Sequence, residues 1–342
     1  MVTGQLIKTR RPVIAIVGPT AIGKSRIGIQ IAKQLQTEIL TADSRQVFRD
    51  MDIGTDKPSF SERQGVPHRL IDLVNPDQPF NTGDFRQAAI PEIARLHQSG
   101  KIPLVIGGTG LYIRTLLRGL CPGPPADWAL RKQMAEDVRH HGPQYLFNQL
   151  QRVDPALAQR LHPNDQPKIQ RALEVFTILG KPFSHIQAEH RFTDAPYPYL
   201  LIGLTMNRST LYERIDTRVE WEITKGLIQE TQQLLNRGYT RELGSMKGLG
   251  YKQFSGYLAG EYSYEEAVRI LKRDTRRFAK RQMTWFAKEP GIQWLSIAPS
   301  DVPDRAAALV IDRIIDFCLS LEMDPLNTIR LPEKSHKTNH SW

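Results

Sequence analysis

The residues with the clearest chemical potential lie near the N-terminus of this 342-residue chain. Two glycines, a lysine and a serine follow the spacing of a P-loop, the glycine-rich turn that binds phosphates. Such glycines let backbone N–H groups turn towards an anion, and a helix that starts directly afterwards points its positive end at the same anion. The lysine adds a positive charge, and the serine hydroxyl can reach a bound Mg²⁺. We therefore predict a diphosphate or triphosphate site at Gly18, Pro19, Thr20, Ala21, Ile22, Gly23, Lys24 and Ser25.

An acid and a second glycine-rich segment end two further apolar runs. Asp43 follows Glu38–Ala42, and Gly107–Gly110 follows Leu104–Ile106. Many P-loop hydrolases hold Mg²⁺ with an acid at the end of a nearby apolar strand, and its absence after Leu104–Ile106 argues against an ATPase or GTPase. The glycine segment either admits a closely approaching ligand or is a plain tight turn. Asp43 can hold Mg²⁺ through water, act as a general base or cap the segment that follows it.

The most basic stretch of the chain runs from Lys272 to Trp285. On a helix, Leu271, Phe278 and Trp285 share one side, and only Asp274 offsets the surrounding positive charge. We predict that this helix contacts nucleic-acid phosphates, with a solvent-exposed helix bearing mixed ion pairs as the alternative. The basic residues are Arg269, Lys272, Arg273, Arg276, Arg277, Lys280 and Arg281.

Composition agrees with a polyanionic partner. The chain has 46 Lys and Arg against 36 Asp and Glu, which gives a net charge of +10. Its two cysteines, Cys121 and Cys318, argue against a disulfide framework or a cysteine-based metal site. Met1–Arg11 lacks the apolar core of a secretory signal, and no apolar run is long enough to span a bilayer. We expect a cytoplasmic protein that does not enter membranes.

Alternating strand and helix patterns predict the elements that position these residues. Parallel strands place their carboxyl ends at one edge of a sheet, so the P-loop, Asp43 and Gly107–Gly110 should converge on one cleft. The predicted fold is α/β, a P-loop NTPase-like parallel sheet flanked by helices, with an inserted all-helical subdomain. Predicted strands are Val13–Val17, Glu38–Asp43, Arg69–Val74, Pro103–Ile106 and Tyr199–Thr205; predicted helices are Lys24–Gln36, Thr82–His97, one from Leu111, Ser209–Arg237 with a bend at Gly226, and Glu265–Lys288.

The chain divides into three predicted regions. Residues 1–118 and 200–321 form the catalytic core with its C-terminal helices. Residues 119–199 form a helical insertion that starts at a proline-rich break and contains amphipathic helices near Trp128–His140, Tyr145–Gln151 and Lys168–Leu179. Residues 322–342 form a polar tail that we predict to be disordered.

Several further motifs follow the P-loop in a characteristic order. They are Asp43-Ser-Arg-Gln46, Met51-Asp-Ile-Gly-Thr55 with Lys57-Pro58, Gly107-Gly-Thr-Gly-Leu-Tyr112, His162-Pro-Asn-Asp165, Arg171-Ala-Leu-Glu-Val175, Gly250-Tyr-Lys-Gln253 and Lys280-Arg-Gln-Met-Thr-Trp285. Together they resemble the bacterial tRNA dimethylallyltransferases, also called tRNA isopentenyltransferases, over residues 13–290 or so. One departure is Glu222, where this family usually has methionine, and it puts the local packing there in question.

The resemblance implies a reaction and roles for the residues of the cleft. Dimethylallyl diphosphate would donate its five-carbon group to N6 of adenosine 37, in tRNAs that read codons beginning with U, and diphosphate would leave. Asp43 is then the general base, and Thr20, Lys24 and Arg218 stabilise the leaving diphosphate, with Arg214 as the alternative arginine. Mg²⁺ would bind near Ser25, through water together with Asp43.

The same resemblance implies how tRNA binds. The target base would be flipped out of the anticodon stem-loop to reach Asp43, and the helical insertion would clamp the anticodon arm of the tRNA. We expect the enzyme to act as a monomer. The implied tRNA-binding residues are Asp43, Ser44, Arg45, Gln46, Thr109, Pro167, Lys168, Ile169, Gln170, Arg171, Lys280, Arg281 and Gln282.

Two other functions share part of this pattern. An adenylate, ADP or ATP isopentenyltransferase would use the same P-loop and base, but the helical insertion and the basic helix favour tRNA. A P-loop nucleotide kinase or an NTP-driven RNA-binding protein would need the strand-end acid that Leu104–Ile106 lacks.

Overall fold

A computed structural model of the chain describes residues 11–190, 195–298 and 303–323. The chain forms two compact units, one of residues before Arg118 and after Pro196, the other spanning Arg118–Pro196. The insertion predicted at 119–199 lies within three residues of these boundaries. Most of the tail predicted to be disordered, from 324 onwards, lies outside the described residues.

The first unit is built on a parallel six-stranded sheet with the strand order β3-β2-β4-β1-β5-β6. The central strand β1 pairs with β4 on one side and β5 on the other. Its five residues are all fully buried, with alternate side chains packing on opposite faces of the sheet. The strands are β1 (Val13–Val17), β2 (Ile39–Ala42), β3 (His68–Arg69), β4 (Leu104–Gly107), β5 (Tyr199–Thr205) and β6 (Gln293–Ser296).

Helices cover both faces of this sheet and extend beyond it. Ile14 and Ile16 pack in the same core as α1 and α13, whereas Val13 and Val17 pack with α2 and α3. A separate core lies among α9 to α12. The helices of this unit are α1 (Lys24–Gln34), α2 (Thr82–Gln98), α3 (Gly110–Arg118), α9 (Arg208–Thr224), α10 (Leu227–Asn236), α11 (Tyr251–Leu258), α12 (Tyr264–Phe286) and α13 (Pro303–Ser320).

Three details differ from the sequence prediction. The predicted strand Arg69–Val74 is too long, because Leu70 and Asp72 have left-handed φ values of 65° and 55° that end β3 after two residues. The predicted bend at Gly226 is a full break, since this glycine has a φ of 104° and separates α9 from α10. The sequence analysis names none of β6, α11 or α13.

Helix α2 shows how local signals set an element. Asn81 accepts hydrogen bonds from the backbone N–H groups of Gly83 and Asp84, and the Asp84 carboxylate accepts from the N–H of Asn81. This reciprocal cap starts the helix where the sequence predicts it. Pro91 lies inside the helix on its exposed side without ending it.

The second unit is entirely helical in its described part. Its core is a cluster of apolar residues that includes Leu150, Ile169 and Ala172. The helices are α4 (Trp128–His141), α5 (Tyr145–Val153), α6 (Pro155–Ala158), α7 (Gln166–Leu179) and α8 (Phe183–His190). Across both units, no described helix has the length and apolar character that a bilayer crossing requires.

Candidate functional site

A cleft of about 80 Å³ opens in the first unit beside the carboxyl ends of β1, β2 and β4. The P-loop, Asp43 and the start of the second glycine segment meet there, as the parallel sheet predicts. The lining residues are Thr20, Lys24, Ser25, Ile39, Thr41, Asp43, Gln46, Thr55, Asp56, Pro58, His68, Ile106, Gly107, Arg218, Phe278 and Gln282.

The P-loop connects β1 to α1 as the spacing predicts. Gly23 has a left-handed φ of 100° directly before the first residue of α1. The Lys24 ammonium donates to the carbonyls of Gly18 (3.0 Å) and Pro19 (2.8 Å), so it lies against the loop. Burial of this ammonium lowers the pKa of Lys24 to about 8, although the Asp43 carboxylate opposes the shift. The loop therefore has the geometry of a phosphate cradle and holds a desolvated ammonium group.

Gln282, on α12, joins the two glycine-rich segments. Its side-chain oxygen accepts from the backbone N–H of Thr20 at 2.9 Å, and its amide nitrogen donates to the carbonyl of Gly108 at 3.0 Å. A Cβ at Gly108 would lie only 2.3 Å from that amide nitrogen, so the segment needs glycine there to admit Gln282. The prediction places Gln282 among the tRNA-binding residues, but both ends of its amide are used to connect the cleft walls.

Asp43 lies at the carboxyl end of β2 and caps the turn that follows. Its Oδ1 accepts from the backbone N–H of Arg45 at 2.8 Å and of Gln46 at 3.4 Å. Among the described residues, Oδ2 accepts no hydrogen bond, and the side chain lines the cleft. The capping and base roles are therefore compatible, because each uses a different oxygen of the carboxylate.

The turn after Asp43 is held by its neighbours. The Thr109 hydroxyl accepts from the backbone N–H of Ser44 at 2.9 Å. The Arg45 guanidinium donates to the carbonyl of Gly244, and the buried Gln46 amide donates to the carbonyls of Thr55 and Asp56, each at 3.0 Å. These predicted tRNA-binding residues thus have structural partners that fix the wall of the cleft.

Arg218, on α9, is the arginine that reaches the cleft. Its Nη1 donates to the Thr20 hydroxyl at 2.8 Å and lies 3.1 Å from the Asp56 carboxylate. Arg214 instead points Nη1 towards the Ile22 carbonyl at 3.5 Å and does not line the cleft. The geometry therefore favours Arg218 over Arg214 as the ligand of a phosphate in the P-loop.

The loop that carries Asp56 is anchored by a distant carboxylate. Glu230 accepts from the backbone N–H groups of Asp52 (3.0 Å) and Ile53 (2.9 Å), and from the Tyr251 hydroxyl at 2.5 Å. This arrangement accounts for part of the Met51–Thr55 motif, because successive backbone N–H groups form a nest for an anion. It also fixes the loop from which Asp56 faces Arg218.

Helix α7, in the helical unit, carries five of the predicted tRNA-binding residues: Pro167, Lys168, Ile169, Gln170 and Arg171. Ile169 is fully buried in the core of that unit, so its contribution is to packing. Arg171 donates to the buried carboxylate of Glu174 and to the Pro124 carbonyl. Lys168 is more exposed than Arg171: 65% of its side chain is accessible, against 31% for Arg171, and it pairs with Asp165.

The basic helix α12 is less one-sided than the sequence indicates. The prediction that only Asp274 offsets its charge is wrong, because α9 supplies further acids. Arg276 pairs with Asp216 at 2.5 Å, and Lys272 pairs with Glu220. Within the described residues, Lys280 and Arg281 are exposed and form no ion pair, so they are the α12 cations available to an outside anion.

Sequence reasoning missed the roles of three residues in or beside the cleft, Asp56, His68 and Glu222, that matter to its electrostatics. Asp56 follows no buried strand, so no local pattern marks it. Glu222 lies one helical turn beyond Arg218, and its Oε1 accepts a hydrogen bond from Arg218 Nε at 2.6 Å. His68 has its Nδ1 2.9 Å from the Val66 carbonyl, which makes Nδ1 the protonated nitrogen, and burial lowers the pKa of its ring. The charge pattern Arg218–Glu222 at i, i+4 was a signal that could have identified Glu222.

A divalent cation has suitable donors in the cleft. The Ser25 hydroxyl and the Asp43 oxygen that is not used in capping are hard oxygen ligands beside the phosphate cradle, and Mg²⁺ prefers few protein ligands with water and phosphate. In the described parts of the chain, no cluster of three His, Cys, Asp or Glu side chains forms a cation site by itself. The residues therefore fit a cation that arrives with a diphosphate.

The chain is similar to one well-described family of proteins. The model of the family described as IPP transferase matches residues 46–289. A tRNA dimethylallyltransferase from Syntrophobacter fumaroxidans is 48% identical over 287 residues, which cover 84% of this chain and 84% of that protein. One from Geobacter sulfurreducens is 47% identical over 292 residues, which cover 85% of this chain and 94% of the relative.

Solved structures show the same architecture. The full-length tRNA isopentenylpyrophosphate transferase from Bacillus halodurans superposes with a TM-score of 0.68 at 37% identity, covering 92% of this chain and 98% of that one. A eukaryotic dimethylallyltransferase, described as acting on tRNA, gives a TM-score of 0.77 at 29% identity, covering 90% and 80%. The fold is thus shared with these enzymes over about nine-tenths of the chain.

Proposed function

Because the chain belongs to the tRNA dimethylallyltransferase family, also known as the IPP transferases, we propose that its cleft is the site of prenyl transfer to tRNA. The enzyme is a prenyltransferase that transfers a dimethylallyl group to N6 of adenosine 37, in tRNAs that read codons beginning with U. The donor we propose is dimethylallyl diphosphate, and the product released with the modified tRNA is diphosphate.

One observation supports this assignment most directly: a phosphate cradle and a free carboxylate oxygen line the same cleft. Lys24 and the P-loop suit the diphosphate of the donor, and Asp43 Oδ2 suits a proton acceptor. Apolar side chains of Ile39, Ile106 and Phe278 line the cleft as well, and they suit the five-carbon group.

The proposed step exchanges one bond for another. The N6 atom of adenosine attacks the allylic carbon, the carbon–oxygen bond to diphosphate breaks, and the electron pair leaves with the diphosphate. The N6 lone pair is delocalised into the ring, so loss of a proton must accompany attack, and Asp43 is placed to accept it. The adenine must be flipped out of the anticodon stack to reach this carboxylate.

The leaving group needs stabilisation because the allylic carbon carries positive charge as the bond breaks. Lys24, the P-loop N–H groups and Arg218 supply positive charge at fixed positions, and Thr20 lies beside Arg218. When bound, Mg²⁺ would neutralise part of the diphosphate charge, with Ser25 and, through water, Asp43 as its protein partners. We also propose that the enzyme acts as a monomer.

We propose that exposed cations in each of the two units, taken separately, contact tRNA phosphates. Lys280 and Arg281 on α12, and Lys168 on α7, are exposed and positively charged. Such groups bind the phosphates of the anticodon stem-loop without reading sequence. Because tRNA is the substrate, we also propose a cytoplasmic location.

Incubation of the protein with tRNA, Mg²⁺ and dimethylallyl diphosphate tests the proposal. Mass analysis of the digested tRNA should show adenosine that carries one dimethylallyl group, and an anticodon stem-loop should also be a substrate. Prenylation of AMP but not of RNA would instead identify an adenylate isopentenyltransferase. Phosphate release from ATP without a prenyl donor would identify a nucleotide-driven enzyme.

The pKa of Lys24 predicts a pH dependence of donor use. Since that pKa is about 8 in the empty cleft, the ammonium loses its proton as the pH rises above 8. Diphosphate binds the protonated form, so kcat/KM for the donor, measured at a fixed tRNA concentration well below the KM for tRNA, should fall by about tenfold per pH unit above that value.

A Lys24→Arg variant is the control for this pH profile. Arginine stays charged throughout, so its lower kcat/KM should not decline between pH 8 and 9.5 or so. A wild-type profile that is flat over the same range would contradict the assignment of Lys24 to the donor.

Exposed cations of α12 should set part of the salt dependence of tRNA affinity. Replacing Lys280 and Arg281 with glutamine should reduce the slope of log K against log[salt] by about 1.5, because each phosphate contact contributes roughly 0.7–0.9. Filter binding of tRNA at several KCl concentrations measures this slope. The double variant of Lys272 and Arg276, whose charges are paired with α9, should keep the wild-type slope. Equal slopes for all three proteins would remove α12 from the RNA surface.

A further inference from the structure

Glu222 is a buried acid that pairs with Arg218, the arginine that we propose binds the diphosphate. It lies on α9, one turn after Arg218, and only 7% of its side chain is accessible. Its Oε1 accepts from Nε of Arg218 at 2.6 Å. Burying a carboxylate costs free energy of desolvation unless the charge is paired, and the ion pair with Arg218 offsets this cost.

A second acid holds the same guanidinium from another side. Asp56 Oδ2 lies 3.1 Å from Nη1 of Arg218, and 41% of the Asp56 side chain is accessible. A guanidinium binds phosphate in a bidentate way through its end-on Nη1 and Nη2 edge or its side-on Nε edge. Glu222 occupies Nε, so the end-on edge beside Thr20 is the one left for a ligand. Asp56 competes for this edge, whereas Glu222 does not.

The two acids also differ in how firmly they are held. Glu222 is enclosed on the helix that carries Arg218, so its contact can persist when a ligand enters. Asp56 is half-exposed on a loop that Glu230 anchors through Asp52 and Ile53. An entering diphosphate would therefore exchange with Asp56 and leave the Glu222 contact intact.

We propose that Glu222 is a positioning residue for the donor: it fixes Arg218 through Nε, so that the end-on edge of the guanidinium faces the diphosphate and Asp56 is the partner that the diphosphate displaces. This inference rests on the proposed function of the cleft. Without Glu222, Asp56 is the remaining carboxylate partner of Arg218 in the described cleft. The guanidinium then turns towards Asp56, and the donor must break a stronger contact to bind.

Three variants test the inference. Glu222→Met removes the acceptor at similar volume, and it should lower kcat/KM for dimethylallyl diphosphate about tenfold, mainly through KM, as expected for coupled neighbours. Glu222→Gln keeps an oxygen acceptor for Nε and should stay within about threefold of wild type. Adding Asp56→Ala to Glu222→Met removes the competing carboxylate and should recover most of the loss.

The matched control is Glu220→Met. Glu220 is an exposed acid on the same helix and pairs with Lys272, an ion pair that contributes little to stability. This variant should change kcat/KM for the donor by less than about twofold. Melting temperature and tRNA affinity, measured for every variant, report any general disturbance of α9.

Several results would overturn the inference. The first is an unchanged kcat/KM for the donor in Glu222→Met. The second is a loss of kcat/KM in Glu222→Met that adding Asp56→Ala does not reverse. The third is a Glu222→Gln variant that folds normally but loses as much kcat/KM as Glu222→Met. The second of these would assign Glu222 to packing alone. Absence of dimethylallyl transfer by the wild-type protein would contradict the proposed function, whereas the ratios among variants concern Glu222.

Discussion

Asp43→Asn should lower kcat by about two to four orders of magnitude and leave the melting temperature close to that of the wild type. The variant separates two roles of one side chain. The asparagine oxygen can still accept from the N–H groups of Arg45 and Gln46, so the turn keeps its cap. The amide cannot accept the proton that N6 must lose. Single-turnover measurement of prenylated tRNA checks the rate, and thermal unfolding checks the turn.

The comparison variant for this prediction is Asp43→Ala, which removes both roles. It should lose activity to the same extent and also lose about 1 kcal/mol of stability with the cap. As a control, Asp84→Asn alters another acid that accepts a backbone N–H, in the cap of α2, and turnover should remain normal. If Asp43→Asn retained nearly full turnover, Asp43 would be a capping residue and the base would have to be sought elsewhere.

Lys24→Ala should reduce kcat/KM for dimethylallyl diphosphate by about two to three orders of magnitude, while the dissociation constant for tRNA stays within a factor of about two. The lysine places its charge against the P-loop, where the diphosphate leaves, and the tRNA cations lie on other elements. Loss of one preorganised cation affects the transition state most, because the negative charge on the leaving oxygen is greatest there.

The control for this variant lies on the same helix. Lys33→Ala removes an exposed lysine whose ammonium donates to Gln64, and both substrates should be used normally. Donor kinetics by prenylated-tRNA assay and tRNA affinity by filter binding distinguish the outcomes. Equal losses in both would indicate damage to the fold, and an intact donor kcat/KM would remove Lys24 from the leaving-group site.

The parts of this site that sequence predicts are those whose cause is local. A P-loop can be predicted from sequence because its strand, glycines, lysine and helix are consecutive. Asp43 can be predicted as a site residue because it directly follows an apolar strand. Parallel pairing then brings the strand ends together without further information. The first boundary of the helical unit is predicted by a proline-rich break, and the second by the apolar strand that starts at Tyr199.

The parts that sequence does not predict depend on contacts between distant residues. Arg218 meets Thr20 across 198 positions, and the Asp56 loop is anchored by Glu230 across 178. The charge of α12 was overestimated for the same reason, since the acids that pair with it lie on α9. Periodicity identifies both helices but does not show which faces meet.

Gln282 has a consequence for synthesis of the protein on the ribosome. It lies 262 residues after Thr20, so at 5–20 residues per second the P-loop is made on the order of tens of seconds before its partner. During that interval the backbone N–H of Thr20 and the carbonyl of Gly108 lack the amide that joins them in the complete chain. A nascent chain that ends before α12 should therefore bind diphosphate poorly, and donor binding by stalled chains of increasing length should begin once Gln282 has emerged.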